Sequence, residues 1–152
     1  MNPYEPPRAN LQPPDRIPGS VPKAVAVGVF IDITGTLITA FAASILYSIV
    51  LSVQGYTTEQ IQIAFEEVKP FSAFHTIMTL LGMLVSAFAG YHCARSANRP
   101  DYLAPGLVAL ISCTLGAAIS AGAYSLRELV VLCALTVIAV LCGAARHVRT
   151  LR

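Results

Sequence analysis

Between Ala24 and Val53 the chain runs for 30 residues, AVAVGVFIDITGTLITAFAASILYSIVLSV, with one acid and no base. About 20 apolar residues in a helix cross a hydrocarbon core roughly 30 Å thick, and this run would extend ~45 Å at 1.5 Å per residue. No soluble core of 152 residues covers such a helix on all sides, so lipid is the expected solvent. Three further apolar runs follow, Phe71 to Ala94, Leu103 to Ala123 and Leu126 to Ala145. The expected fold class is all-α, an integral membrane four-helix bundle. Charged residues make up only 12% of the chain, against about a quarter in ordinary soluble domains.

Lys and Arg alternate between segments. Arg8, Arg16, Lys23, Arg95, Arg99, Arg146, Arg149 and Arg152 lie on one side of the spans, and only Lys69 and Arg127 on the other. Cytoplasmic loops retain the basic residues, which predicts a multi-pass protein of the bacterial cytoplasmic (inner) membrane with both termini cytoplasmic. The net charge of +2 and the scattered bases speak against nucleic acid as a partner. The expected partners are the lipid bilayer and either the chain itself or another membrane protein.

Residues 1–22 hold seven of the ten prolines and form a Pro-rich cytoplasmic tail, disordered or polyproline-like. They lack the basic start and short apolar core of a secretory signal. The NPYEPP opening suits either a docking peptide or a solubilising leader. Residues 23–147 form the membrane domain and 148–152 a short basic tail. Within the domain, residues 57–69 carry Ile61, Ala64, Phe65 and Val68 at helical spacing, which predicts a short amphipathic extracytoplasmic helix. Thr57 with Gln60, and Ser125 with Glu128, have the spacing of capping boxes.

Small side chains recur along the spans: Gly28, Thr36, Ala40, Ser44 and Ser48 in the first, Gly82, Ser86 and Gly90 in the second, Gly106, Gly116, Ala118 and Gly122 in the third. Such ridges let helix backbones approach closely, which matters in lipid because no hydrophobic force drives helices together there. They predict tight helix crossings.

Asp32 is the only acid inside the first run. The charge-free stretch from Gly35 to Val53 suggests that the start of the long helix projects into the headgroups, leaving Asp32 near the inner interface. If Val53 and Phe71 share the outer level, antiparallel counting places Asp32 opposite His92, near Tyr91 and Arg95. The same counting from Arg127 reaches Arg146 and His147. Asp32, Tyr91, His92, Arg95, Arg146 and His147 are therefore expected to gather as a polar cluster, with Asp32 paired to Arg95 or His92. A structural clamp is the first reading and a proton or ion relay the second.

Cys93, Cys113, Cys133 and Cys142 all fall in or beside spans without a CxxC pair, and read as packing residues. His75 and His92 are separated by ~25 Å along one helix and cannot share a metal. No metal or cofactor is expected.

Asp32, Gly35 and Thr36 in VFIDITGTLI match the short first motif of haloacid-dehalogenase-type phosphatases. That resemblance implies a doubly wound sheet, a later Lys and a late acidic pair for magnesium. Beyond Asp32 the chain offers only Asp101 and Lys69 among Asp and Lys, amid helical spans. The NPYEPP start, the long first span and GYHCAR at the close of the second resemble small four-span bacterial inner-membrane proteins with no assigned activity. That likeness implies location and topology and no chemistry. The expected role is noncatalytic: an accessory, assembly or immunity-type partner, or a homo-oligomeric structural protein. The alternative is a small oligomeric channel or transporter using Asp32 and the polar ridge of span one.

Overall fold

A computed structural model describes residues 19–68, 72–120, 122 and 124–151. The Pro-rich tail up to residue 18 lies outside the described residues, as do Lys69, Pro70 and Phe71. Five helices follow one another: α1 (Val21–Val53), α2 (Thr58–Glu66), α3 (Ala73–Ala97), α4 (Leu103–Ile119) and α5 (Leu126–Val148). The described residues contain no strand, so the chain is all-α.

Local chemistry sets the helix ends. Pro22 falls in the first turn of α1, where the missing N–H has no intrahelical role. Both expected capping boxes form: the Thr57 N–H donates to Gln60 Oε1 at 2.9 Å, and the Ser125 N–H donates to Glu128 Oε2 at 2.8 Å. Ser72 caps α3 by accepting from the His75 N–H. Asp101 Oδ1 accepts from the Leu103 N–H at 3.2 Å and so holds the start of α4. Asp101, the only Asp after Asp32, thus has a structural role. No doubly wound sheet is present among the described residues.

Three helices, α1, α3 and α5, are long and apolar enough to cross a membrane. The expected run 103–123 is shorter than its sequence suggests. Helix α4 stops at Ile119 after 17 residues, which is ~25 Å. The chain leaves the helix through Ser120 and Gly122, whose φ of +92° lies in the left-handed region open to glycine. Gly122 thus serves a turn and not a helix crossing. The amphipathic helix is likewise shorter than residues 57–69; its backbone lies along α1, and its Phe65 ring also meets Phe74 at the start of α3 at 6.0 Å.

Helix α3 is the central element. It packs broadly against α5 and α1 and more narrowly against α4, while α1 and α5 do not meet. The closest approach is between α3 and α5. A Cβ on Gly90 would run into the Val140 carbonyl, and one on Gly143 into the Ala87 carbonyl. Gly28 likewise sits against Cys93 and Val108. Around these crossings lies the core: Ala24, Cys93, Ala97, Ala104, Val108, Ala109 and Val140, with Ala94, Ala144 and Val148 beside it. All of it belongs to the end where α1 begins and α3 and α5 finish, the basic end.

At the opposite end the helices are held by rings. Tyr47 stacks on Phe74 with centroids 4.3 Å apart, and Phe65 of α2 meets Tyr47 edge-on at 5.3 Å. The remaining small residues are used differently from the expected ridges. Gly82, Gly106 and Gly116 have open space where a Cβ would stand, and Ala118 is exposed. Ala40 and Ser44 are half-buried, and the Ser48 hydroxyl donates to the Ser44 carbonyl of its own helix at 2.9 Å.

Candidate functional site

Asp32 is 5% exposed, and its Oδ1 accepts a 2.7 Å hydrogen bond from the Ser86 hydroxyl. Ser86 lies midway along α3, so the carboxylate sits opposite the middle of that helix and not at its basic end. The expected partner His92 is six residues further on, ~9 Å along the axis. The shift has a plain origin. Tyr47, and not Val53, stands level with the start of α3 through its stacking on Phe74. Helix α1 therefore overruns α3 at the far end, and Asp32 moves toward the middle.

The expected polar cluster divides accordingly. Tyr91 meets His92 edge-on at 5.4 Å and His147 at 6.1 Å, so these side chains do assemble. Arg95 and Arg146 are exposed at the same end. Asp32 is not with them. Its recorded partner is the Ser86 hydroxyl, and the expected pairing with Arg95 or His92 is replaced by that bond.

A cavity of about 220 Å³ opens beside the carboxylate. It is lined by Asp32 and Thr36 of α1, Thr79, Gly82, Met83 and Ser86 of α3, Ser112 and Gly116 of α4, and Leu132, Leu135 and Thr136 of α5. Gly82 and Gly116 make the space by carrying no side chain. The Thr79 and Thr136 hydroxyls donate to the carbonyls of His75 and Leu132 in their own helices, at 2.9 and 3.0 Å. Their protons are thereby committed, and the free lone pairs remain on the oxygens. Ser112 Oγ is buried with no hydrogen-bond partner in the structure.

The lining has a clear chemical bias. It offers a carboxylate and several hydroxyl oxygens, while neither Lys, Arg nor His lines it among the described residues. A carboxylate taken out of water costs several kcal/mol unless its charge is neutralised or paired. One hydroxyl donor does not supply a counter-charge. The arrangement suits a proton or a cation. It lacks the three His, Cys, Asp or Glu side chains of a transition-metal site among the described residues.

Four of the lining residues, Thr79, Met83, Leu132 and Leu135, also line a larger groove of about 370 Å³ between α3 and α5. The groove runs toward the far end, where His75, Tyr124 and Glu128 frame it. Apart from Thr76 and Thr79 its wall is otherwise apolar, from Leu80, Met83, Val131, Leu132 and Leu135.

Sequence reasoning singled out Asp32 as a clamp first and a proton or ion relay second, and Thr36, Gly82, Ser86 and Gly116 as packing residues. It missed Thr79, Ser112 and Thr136 as companions of the acid. The signal available was spacing: Thr79, Gly82, Met83 and Ser86 share one face of α3 at helical intervals. Gly143 was also missed, although it follows Ala139 at the same four-residue interval.

No family model matches the chain. No curated protein and no solved structure matches it either.

Proposed function

We propose that the chain is a small noncatalytic multi-span protein of the bacterial cytoplasmic membrane that binds a cation at Asp32, in the manner of a small channel or transporter. The observation that carries this reading is a buried carboxylate, given one hydroxyl donor and no base, halfway along three of the helices packed around it. Ionisable groups at that depth face bundle interiors and mark ion or substrate pathways.

In the proposed topology α1, α3, α4 and α5 all span, with both termini cytoplasmic and α2 on the outer surface. Helix α4 is a few ångströms short of a standard core, a mismatch that local thinning of the bilayer accommodates at modest cost. The distribution of Lys and Arg supports the orientation.

An accessory or homo-oligomeric role has its own support. Helix α1 turns Phe30, Leu37 and Phe41 outward at 69, 65 and 71% exposure. These side chains suit lipid or a second membrane helix equally. The tight glycine contacts at Gly90 and Gly143, however, are spent within the chain.

The test is flux in proteoliposomes. The expected result is Asp32-dependent movement of protons or small cations, abolished in Asp32→Ala and unchanged in Arg95→Gln. Inert vesicles, together with co-purification of a specific membrane protein, would replace this reading with the accessory one.

A further inference from the structure

The cavity beside Asp32 and the groove between α3 and α5 are neighbours that share Thr79, Met83, Leu132 and Leu135 in their walls. Each carries an acid, Asp32 in the cavity and Glu128 at the far end of the groove. The walls between the two acids are mainly leucine, methionine and valine, with Thr76, Thr79 and Thr136 among them. Neither Lys nor Arg lines either part among the described residues, although Arg127 lines an adjoining surface depression with Ser125, Glu128 and Val131. His75 stands at the mouth beside Tyr124, with ring centroids 5.9 Å apart.

A bare metal ion would fill a small part of such a space and leave the apolar walls unused. A neutral lipid tail would fill the groove but leave the carboxylate without a counter-charge. An amphiphile with a positive head and an apolar body satisfies both. Pockets that hold small organic ligands are of this kind, several hundred Å³, mainly apolar, with a few polar groups that fix orientation.

We infer that the cavity and the groove join across their shared walls and bind an apolar ammonium compound, its charged head at Asp32 and its hydrocarbon body along Leu80, Met83, Val131 and Leu135. This rests on the reading of Asp32 as a cation site and adds the class of ligand. Thr79, Ser112 and Thr136 contribute oxygens that face the head group. Met83 supplies an adaptable wall, since an unbranched thioether repacks easily around ligands of differing shape. The groove opens beside the first turn of α5, so the ligand reaches Asp32 from the far side of the protein, opposite the basic end.

The experiment uses the full chain in lipid nanodiscs, titrated calorimetrically with octyltrimethylammonium and corrected with empty nanodiscs. The control ligand is the uncharged analogue bearing a tert-butyl head. The expected result is saturable binding at one site per chain, weakened at least about tenfold for the neutral analogue and in Asp32→Asn, because a buried charge loses its partner. Gly82→Leu, which leaves Asp32 itself in place and puts a side chain into the open space beside Gly82, should also abolish binding. It serves as the deciding variant if Asp32→Asn does not yield folded protein. Equal binding of the two ligands, unchanged affinity in Asp32→Asn, or unchanged affinity in Gly82→Leu would each overturn the inference. Asp32-dependent sodium or proton binding without saturable octyltrimethylammonium binding would sink the ligand class and leave the cation site standing. Absence of all of these would remove both.

Discussion

The basic half of the molecule and the far half are built from similar small residues and use most of them in opposite ways, Gly106 at the start of α4 being the exception in facing open space near the basic end. In the basic half Gly90 and Gly143 bring α3 and α5 into backbone contact, Gly28 seats α1 against the side chains of Cys93 and Val108, and nearly the whole buried core collects around them. In the far half Gly82 and Gly116 face empty space, and Leu51 is the one core side chain toward that end among the described residues. Asp32 stands at the border. A missing side chain is a contact where two backbones converge and a void where they diverge. The difference follows from helix geometry: α4 ends early, α1 overruns its neighbours, and α2 covers only α1 and the first turn of α3.

The largest effect that tests this contrast is expected at the α3–α5 crossing. Gly90→Leu and Gly143→Leu each force a side chain against a carbonyl of the facing helix. Neither backbone can yield without separating the helices, so the cost should exceed the ~1–3 kcal/mol of ordinary overpacking. Thermal unfolding followed by circular dichroism in detergent should show loss of the cooperative transition. A transition at the wild-type temperature would mean that the close approach is not real.

Next comes the border. Ser86→Ala removes the hydroxyl donor and leaves the Asp32 carboxylate buried without it, which should cost about 1–3 kcal/mol. Asp32→Asn keeps a side chain of the same shape that bonds the hydroxyl, and should cost less. The order of the two melting temperatures is the measurement. A reversal would show that Asp32 is held by something other than Ser86.

A smaller effect is expected at the cap of α5. Ser125→Ala removes the N-cap oxygen, which accepts from the Glu128 N–H and donates to Glu128 Oε2, a loss of ~1 kcal/mol. Hydrogen exchange should quicken in the first turn of α5 and leave Ala139 to Val148 protected. The far half would then loosen while the basic half stays rigid.

The smallest effect is expected where the structure leaves space. Gly116→Ala places a methyl group into the cavity with nothing within 4 Å. Alanine is also the better helix former by ~1 kcal/mol, so stability should be unchanged or slightly raised. A marked loss would indicate that the cavity is narrower than described, and would weaken the contrast between the halves.

Much of this fold was legible in the residues. Both capping boxes, the start at Pro22 and the long apolar helices are local properties, decided by hydrogen bonds within a turn and by the length of each greasy run. The axial register was not legible. Small residues spaced every four positions permit helices to slide past one another by a turn without clash, so counting from Val53 and Phe71 missed the level by a turn or more. The decisive contact was aromatic, Tyr47 on Phe74, and aromatic pairs of this kind do not announce their partner in sequence. The end of α4 was misjudged because residues 120–123, Ser-Ala-Gly-Ala, carry neither a charge nor a proline to close the apolar run, while Gly122 takes a backbone conformation that composition does not reveal.

The chain by itself determined the medium, the helices and the presence of one acid among them, because hydropathy and capping act over a few neighbouring residues. Tertiary packing alone decided the level at which Asp32 rests, its bond to Ser86, and which glycines became contacts and which became walls of a cavity. Those outcomes depend on how far apart two backbones run at a given height, a distance that no single helix carries in its own residues.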